Sequence, residues 1–439
     1  MGVFFGTDGL RGKVNEDLTF DIAYKVGNGL TILKEKPTIL VGCDTRVSNT
    51  YLTLGLAGGA ISGGANVIDV GVMPTAGVAY LTRKIKADYG VVISASHNSG
   101  EYNGIKIFDK NGYKLGDKEE NRIERCFIKN KINDNDNIGK YQQKYNLGKL
   151  YKKFLIGASE NSLKGKTIVL DCAYGASHRI APEVFKKLGA TVIASNCVYN
   201  GKKINENCGA LYPENLIKKV LRYKADFGFA FDGDADRIIA VDENGGIIDG
   251  DKIIYALSKN FKKNGKLKSN CVVGTSHTNI AIEENLKNEG INLIRTDIGD
   301  KYVLAKMLEM DLSLGGEQSG HVIISDLSTT GDGILTAILI ANMLVSEDLK
   351  MSKAFDIKLY PQENKSVFVR DKFRVMNNEE LNKEVAKQNQ ELGASGRLLI
   401  RASGTEPKIR VMVESNDSTM NKNICTKIIS LIEKINVET

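Results

Sequence analysis

Val91-Val92-Ile93-Ser94-Ala95-Ser96-His97-Asn98-Ser99-Gly100-Glu101-Tyr102-Asn103-Gly104-Ile105-Lys106 passes from a β-branched apolar run into small and polar residues. Val91 to Ile93 suits a buried strand, and the residues after it cannot continue one. Ser96 is therefore expected on a loop at a strand end. A serine hydroxyl is a weak nucleophile and phosphate carrier unless nearby groups handle charge, so the reading turns on partners elsewhere in the chain. Taken alone, the stretch reads equally well as an ordinary Ser-rich loop.

The partners come with Phe227-Gly228-Phe229-Ala230-Phe231, a second apolar strand signal that runs directly into Asp232-Gly233-Asp234-Ala235-Asp236-Arg237. Three carboxylates at i, i+2 and i+4, spaced by Gly and Ala, can converge from a tight loop, and they repel one another without a cation. Hard oxygen donors in that number suit Mg²⁺. An EF-hand begins with the same spacing, and Glu243 falls at its twelfth position. Arg237, however, stands where that loop needs Gly, and strand-like runs flank it in place of amphipathic helices. A solvated acidic turn is the remaining alternative, which the apolar run leading in disfavours.

Outward from these two loops the pattern alternates. Strand signals at 38–41 and 66–70 and helix signals at 52–64 and 75–83 precede the Ser96 loop. That alternation predicts βαβ units and a mainly parallel sheet, with loops at the carboxyl strand ends where ligands bind. Asp44 and Arg46 follow their own strand and are expected to order loops rather than react. Residues 134–143 are polar and poorly periodic, and the helical run at 147–155 leads into a second unit with strands at 167–171 and 191–194 and a helix at 181–188. Near residue 250 the pattern restarts, with helices at 252–262 and 278–289 and strands at 271–274 and 292–296. After Pro361 comes a smaller α+β register, with strands at 366–369, 398–400 and 409–413 and helices at 379–391 and 420–435.

Four further loops carry chemistry. Phe4 to Gly12 sets three Gly around Asp8 and Arg11, where the backbone can approach a ligand and the guanidinium can grip a phosphoryl group; a plain N-terminal turn reads as well. Asp300 and Lys301 offer a carboxylate and an amine after a strand. Glu317 to His321 offers a carboxylate, a hydroxyl and an imidazole, and Glu317 and Ser319 could hold vicinal sugar hydroxyls. His321 by itself reads better as a satisfied structural histidine. In the C-terminal unit the Ser403-Gly404-Thr405 turn supplies hydroxyls and N–H groups for a phosphate, with charge from Arg401 and Arg410.

Composition sets outer limits. At 439 residues the chain should form two to four domains, and 42% hydrophobic with 26% charged residues is ordinary globular composition. Seven Cys with no CxxC pair, together with the lack of a signal peptide or long apolar segment, point to reduced thiols, a cytoplasmic location and no membrane. The formal charge of +7 is spread over solvated faces without aromatic interleaving, which argues against nucleic acid and favours small anionic substrates.

Four motifs, Phe5 to Gly12, the Ser96 loop, the Asp232 loop with Gly315 to His321, and Arg401 to Pro407, stand in the order they hold in the α-D-phosphohexomutases. The chain resembles that family across almost its whole length, closest to the bacterial branch acting on glucosamine phosphates. The resemblance implies three similar mixed α/β sheet domains plus a smaller C-terminal α+β domain, with the active site in a central cleft. It places the phosphoserine loop in 1–150, the metal loop in 151–250, the sugar-recognition loop in 251–364 and phosphate binding in 365–439. It implies a ping-pong shuttle in which phosphorylated Ser96 exchanges its group with a sugar phosphate through a 1,6-bisphosphate. One Mg²⁺ would sit on Ser96, Asp232, Asp234 and Asp236. Arg11, His97, Lys106 and Arg237 would be catalytic, with Lys106 handling a proton or orienting phosphate. Asp300, Lys301, Glu317, Ser319 and His321 would bind the sugar, and Arg401, Ser403, Gly404, Thr405 and Arg410 its phosphate.

The implied reaction is glucosamine 6-phosphate to glucosamine 1-phosphate, supplying UDP-N-acetylglucosamine and cell-wall synthesis, with a hexose 1,6-bisphosphate as activator. A glucose or mannose phosphate preference, a Mg²⁺-dependent phosphatase using Asp232, and a non-catalytic binding protein stay open, as do a homodimer and a priming kinase. Two positions depart from the family pattern: Ser99 and Ala402 stand where Pro is usual, which removes restraint from both loops and no reacting group.

Overall fold

The computed structural model describes residues 5–6, 8–128, 132–133, 135–403 and 407–437. They fall into two compact units, Met1–His277 with Ile291–Asp356, and Thr278–Gly290 with Ile357–Thr439.

The chain begins with β1 (Phe5–Gly6), β2 (Gly9–Lys13), α1 (Phe20–Leu33), β3 (Thr38–Cys43), α2 (Asn49–Ser62), β4 (Asn66–Val72), α3 (Thr75–Lys84), β5 (Tyr89–Ile93), β6 (Tyr102–Phe108), α4 (Asp117–Ile128) and β7 (Tyr141–Gln143). Its seven strands form one sheet in the order β1-β2-β6-β5-β3-β4-β7. Helices α1 and α2 touch backbone to backbone, because a Cβ at Gly59 would stand 1.9 Å from the Tyr24 carbonyl oxygen.

Next come α5 (Gly148–Gly157), β8 (Thr167–Asp171), α6 (Ile180–Lys187), β9 (Thr191–Ser195), α7 (Glu214–Tyr223), β10 (Phe227–Phe231), β11 (Ile238–Asp242) and β12 (Ile247–Ile248), with strand order β12-β11-β10-β8-β9. The third segment holds α8 (Gly250–Lys263), β13 (Cys271–Thr275), α9 (Ile280–Asn288), β14 (Asn292–Thr296), α10 (Asp300–Glu309), β15 (Leu314–Gly316), β16 (Val322–Ile324), α11 (Gly333–Ser346) and α12 (Met351–Ala354), with order β14-β13-β15-β16.

The three sheets repeat one device. Strand β5 pairs parallel with β3 and antiparallel with β6; β10 does the same with β8 and β11, and β15 with β13 and β16. In each case the connection leaving the middle strand is a candidate loop: the Ser96 loop, the Asp232 loop and the Glu317–His321 loop. The sheets are therefore mixed rather than mainly parallel, since the strand after each loop turns straight back.

The second unit contains β17 (Gln362–Phe368), α13 (Lys372–Met376), α14 (Glu379–Leu392), β18 (Gly396–Ala402), β19 (Lys408–Ser415) and α15 (Ser418–Val437), with an antiparallel sheet ordered β17-β19-β18. Helix α9 belongs to this unit. Buried Glu414 accepts from the Ile280 N–H at 2.8 Å, and Arg397 donates to the Thr278 carbonyl at 2.6 Å.

Several elements lie outside the sequence reading. Residues Asp300 to Tyr302 begin α10 instead of lying in a loop, and the polar tract near 141 yields edge strand β7 beside β4. Helix α11 is apolar around most of its circumference and buries eleven of its fourteen residues. With no polar face, it lacks the amphipathic period by which surface helices are recognised.

Candidate active site

Ser96 is buried at the end of β5 with φ of 51°, in the left-handed region that a non-glycine residue enters at a cost of about 1–3 kcal/mol. Arg46, fully buried, holds the loop in that shape. Its guanidinium donates to the carbonyls of Ser96 at 3.0 Å, Asn98 at 2.7 Å, Tyr102 at 2.8 Å and also Ser99, while its Nε donates to Asp44 at 2.9 Å. The Asn205 amide donates to the Ser96 and Asn98 carbonyls at 2.8 and 2.9 Å. Asp44 and Arg46 thus order the loop, and the restraint missing at Ser99 comes from another strand end.

The Ser96 hydroxyl donates to Asp232 Oδ2 at 2.5 Å and lies 3.5 Å from Asp236 Oδ1 and 3.4 Å from His97 Nδ1. One oxygen from each of Asp232, Asp234 and Asp236 lies within 4.8 Å of the others. Asp234 is positioned by Thr75, the first residue of α3, whose hydroxyl donates to Oδ2 at 2.7 Å. Lys106, projecting from β6, donates to Asp234 at 2.8 Å and Asp236 at 2.9 Å and stands 3.1 Å from Asp8.

The network continues through residues the sequence reading named and through Lys114 and Gly331, which it missed. Lys114 bridges Asp8 and Asp300, and Asp8 also pairs with Arg11. The His321 ring lies between Asp236 (3.8 Å from Nδ1) and Asp300 (3.5 Å from Nε2), and its Nε2 accepts from the Gly331 N–H at 3.1 Å. A Cβ at residue 331 would stand 2.5 Å from that ring, so only glycine fits there. Glu317 accepts from the Gly299 N–H at 3.0 Å. No sequence signal marks Lys114, because its position depends on the short bridge pairing Phe108 with Lys114.

Charge follows from this geometry. Although burial opposes charging of Lys106, Asp234, Asp236 and Asp8 hold its ammonium well above the usual lysine range. Burial likewise opposes the ionised form of Asp236, and Lys106 overrides it. Asp232 is pushed up by burial and by Asp236 and Asp234, which outweigh the nearby Arg237 charge. Burial, together with Arg237 and Arg11, lowers His97 to about 3, so its imidazole is neutral near pH 7. Arg11 and Arg237 keep their charge through facing carboxylates, and each has a buried Nε without a hydrogen-bond partner.

The remaining candidate residues lie outside this network. Lys301 contacts Asp117 at 3.6 Å and the Tyr302 ring, and Ser319 is exposed. In the second unit Arg401 and Arg410 are cross-strand partners on β18 and β19. The Ser403 N–H donates to the Lys408 carbonyl at 2.8 Å, and the Ser403 carbonyl accepts from Lys372. Gly404 and Thr405 lie outside the described residues.

The donor set fits a divalent cation. Asp234 Oδ1 is buried without a partner, in the middle of the aspartate cluster. Such an oxygen costs about 1–3 kcal/mol or more unless something coordinates it.

Comparison with known proteins places these features in a family. Residues 2–134, 147–246 and 249–360 match the phosphoglucomutase/phosphomannomutase alpha/beta/alpha domains I, II and III, and residues 365–431 match the C-terminal domain. The chain is 46% identical over 444 residues to a phosphoglucosamine mutase of Caldanaerobacter subterraneus, covering 99% of each. It is 44% identical over 450 residues to that of Clostridioides difficile, again covering 99% of each. Among solved structures it is similar to a phosphoglucomutase/phosphomannomutase family protein from Burkholderia thailandensis, with TM-score 0.83, 21% identity and 97% of each chain covered. It is also similar to an Aspergillus fumigatus N-acetylphosphoglucosamine mutase in complex with GlcNAc-6P and magnesium, with TM-score 0.69, 17% identity, and 99% and 96% covered. Among the described residues no helix is long and apolar enough to cross a membrane.

Proposed function

The chain belongs to the phosphoglucomutase/phosphomannomutase family, and from that membership we propose an intramolecular phosphotransferase that interconverts glucosamine 6-phosphate and glucosamine 1-phosphate. The observation that carries this reading is the Ser96 hydroxyl set 2.5 Å from Asp232 inside a buried ring of compensated charges. A phosphoryl group on that oxygen brings two further negative charges beside three aspartates, which demands cations on every side. The glucosamine assignment rests on full-length relatives named phosphoglucosamine mutase at 44–46% identity.

Phosphoryl transfer asks a protein mainly for positioning and charge stabilisation. Mg²⁺ held by Ser96, Asp232, Asp234 and Asp236 supplies the latter when bound. Arg46 and Asn205 fix the backbone that presents Ser96, so the phosphoryl group is offered from one direction. Arg11 and Arg237, each with a buried Nε–H that has no partner, supply donors for its oxygens. Lys106 is the fixed cation of the ring and orients phosphate as an ammonium. His97, a neutral imidazole 3.4 Å from the serine oxygen, offers a hydrogen bond there without adding charge. Asp300, Lys301, Glu317, Ser319 and His321 grip the sugar. Arg401, Ser403, Gly404, Thr405 and Arg410 bind phosphate.

Intact mass spectrometry with a mutase assay tests the reading. The wild type, treated with hexose 1,6-bisphosphate and Mg²⁺, gains one phosphoryl mass, whereas Ser96→Ala gains none and loses isomerisation. A mutant that stays active, or net release of inorganic phosphate, sinks the shuttle. Parallel kinetics on the 6-phosphates of glucosamine, glucose and mannose test the substrate, and a higher kcat/KM for either neutral sugar overturns the glucosamine assignment.

A further inference from the structure

Cys172 and Cys197 stand together on the sheet that carries the aspartate loop. Cys172 follows β8 and is fully buried, while Cys197 lies just past β9, the parallel neighbour of β8, and is half-buried. Their Sγ atoms are 3.0 Å apart. One carbonyl holds both: Ser195 O accepts from the Cys172 N–H at 3.1 Å and from the Cys197 thiol at 3.0 Å. Closing that gap to a bond of about 2.05 Å moves the sulfurs by about 1 Å, within the reach of neighbouring strand ends.

The segment after Cys172 carries the active-site loops. Ala173 and Tyr174 turn through the left-handed region at φ of 50° and 54°. The Ala176 N–H then donates to Gly233 O at 2.7 Å, inside the aspartate loop. The Ala173 carbonyl accepts from the Asn205 N–H at 3.1 Å, and the Asn205 side chain holds the Ser96 loop. A pull on Cys172 is therefore transmitted to both reacting loops.

We propose that Cys172 and Cys197 are a redox modification site at which hydrogen peroxide forms a disulfide that slows turnover. The half-buried Cys197 sulfur attacks one peroxide oxygen, the O–O bond breaks, and a sulfenic acid and water result. The Cys172 sulfur displaces the sulfenic oxygen as a second water, forming the S–S bond. In total the two thiols lose two electrons and two protons, and one peroxide becomes two waters. Displacing the loops by a fraction of an ångström to 1 Å lowers kcat by about 10- to 100-fold. The activity arm rests on the phosphoryl-transfer reading of the site; the cross-link does not.

The experiment treats the full chain, loaded with Mg²⁺, with near-stoichiometric hydrogen peroxide and follows non-reducing peptide mapping beside the mutase assay. Expected are a linked peptide pair containing Cys172 and Cys197, a fall in kcat, and full recovery with a thiol reductant. Cys197→Ser, which is remote from the reacting groups, keeps the basal rate and resists the oxidant. No linked pair, equal inactivation of Cys197→Ser, or a linked protein as fast as the reduced one each overturns the proposal. If the reduced protein has no mutase activity, the functional reading fails while the peptide map still decides the site.

Discussion

In the first unit Lys106 sits among Asp8, Asp234 and Asp236, whereas in the second unit Arg401 stands across the strand pair from another cation, Arg410. Opposing carboxylates raise the Lys106 ammonium; burial and then Arg410 lower the half-buried Arg401 guanidinium. Like charges directly opposite on a sheet destabilise it, and the Arg401 Nε has no hydrogen-bond partner. The first region is compensated from within the fold, and its charges fix the loops before substrate arrives. The second sets one arginine directly opposite another across a strand pair. The chain thus sets its cations in two ways, as buried struts among carboxylates in the first unit and, on the proposed reading, as receptors for phosphate in the second.

Removing a cation should separate the two uses. Lys106→Met strands two buried carboxylates, so unfolding stability in urea is expected to drop by about 3–5 kcal/mol, with turnover down by about 10²–10³-fold. A change under about 1 kcal/mol would mean that the ring is not a strut.

Asp332 sharpens the comparison from inside the compensated unit, because its buried carboxyl has only neutral partners: the Leu335 N–H at 3.0 Å and the Tyr151 hydroxyl at 2.8 Å. Burial raises it to about 6. The folded state therefore binds a proton more readily than the unfolded chain, so this group's stabilising contribution is fully present below pH ~4 and is lost as pH rises through ~6, by about 3 kcal/mol at most. Asp332→Asn should flatten that part of the stability–pH curve; an unchanged slope between pH 4 and 6 contradicts the assignment.

The smallest effect on the fold is expected at the receptor. Arg401→Gln relieves a like-charge pair, so stability should rise or hold within about 1 kcal/mol, while KM for the sugar phosphate climbs about tenfold, or about 1.4 kcal/mol, with kcat nearly unchanged. A large loss of stability would place Arg401 among the struts and erase the contrast.

The sequence by itself determined the strands that end in chemistry. Val91–Ile93 and Phe227–Phe231 are short apolar runs broken at once by small and polar residues, a signal strong enough to put Ser96 and the three aspartates on loops. The i, i+2, i+4 spacing also suited a hard-cation donor set, with a solvated acidic turn as the alternative. What the sequence left unread depends on contacts distant along the chain. Lys114 meets Asp300 across 186 positions and Arg46 meets the Ser96 carbonyl across 50; neither carries a local pattern, because a side chain's partner is set by where its strand is placed. The equivalence of the three loops was invisible for the same reason. Each follows the middle strand of a parallel–antiparallel trio, a property of sheet order and not of residue identity. Helix α11 escaped because a fully buried helix has no polar face to supply a period. Local chemistry could be read along the chain, whereas compensation of charge is a property of three dimensions, where opposite charges must come within a few ångströms to count.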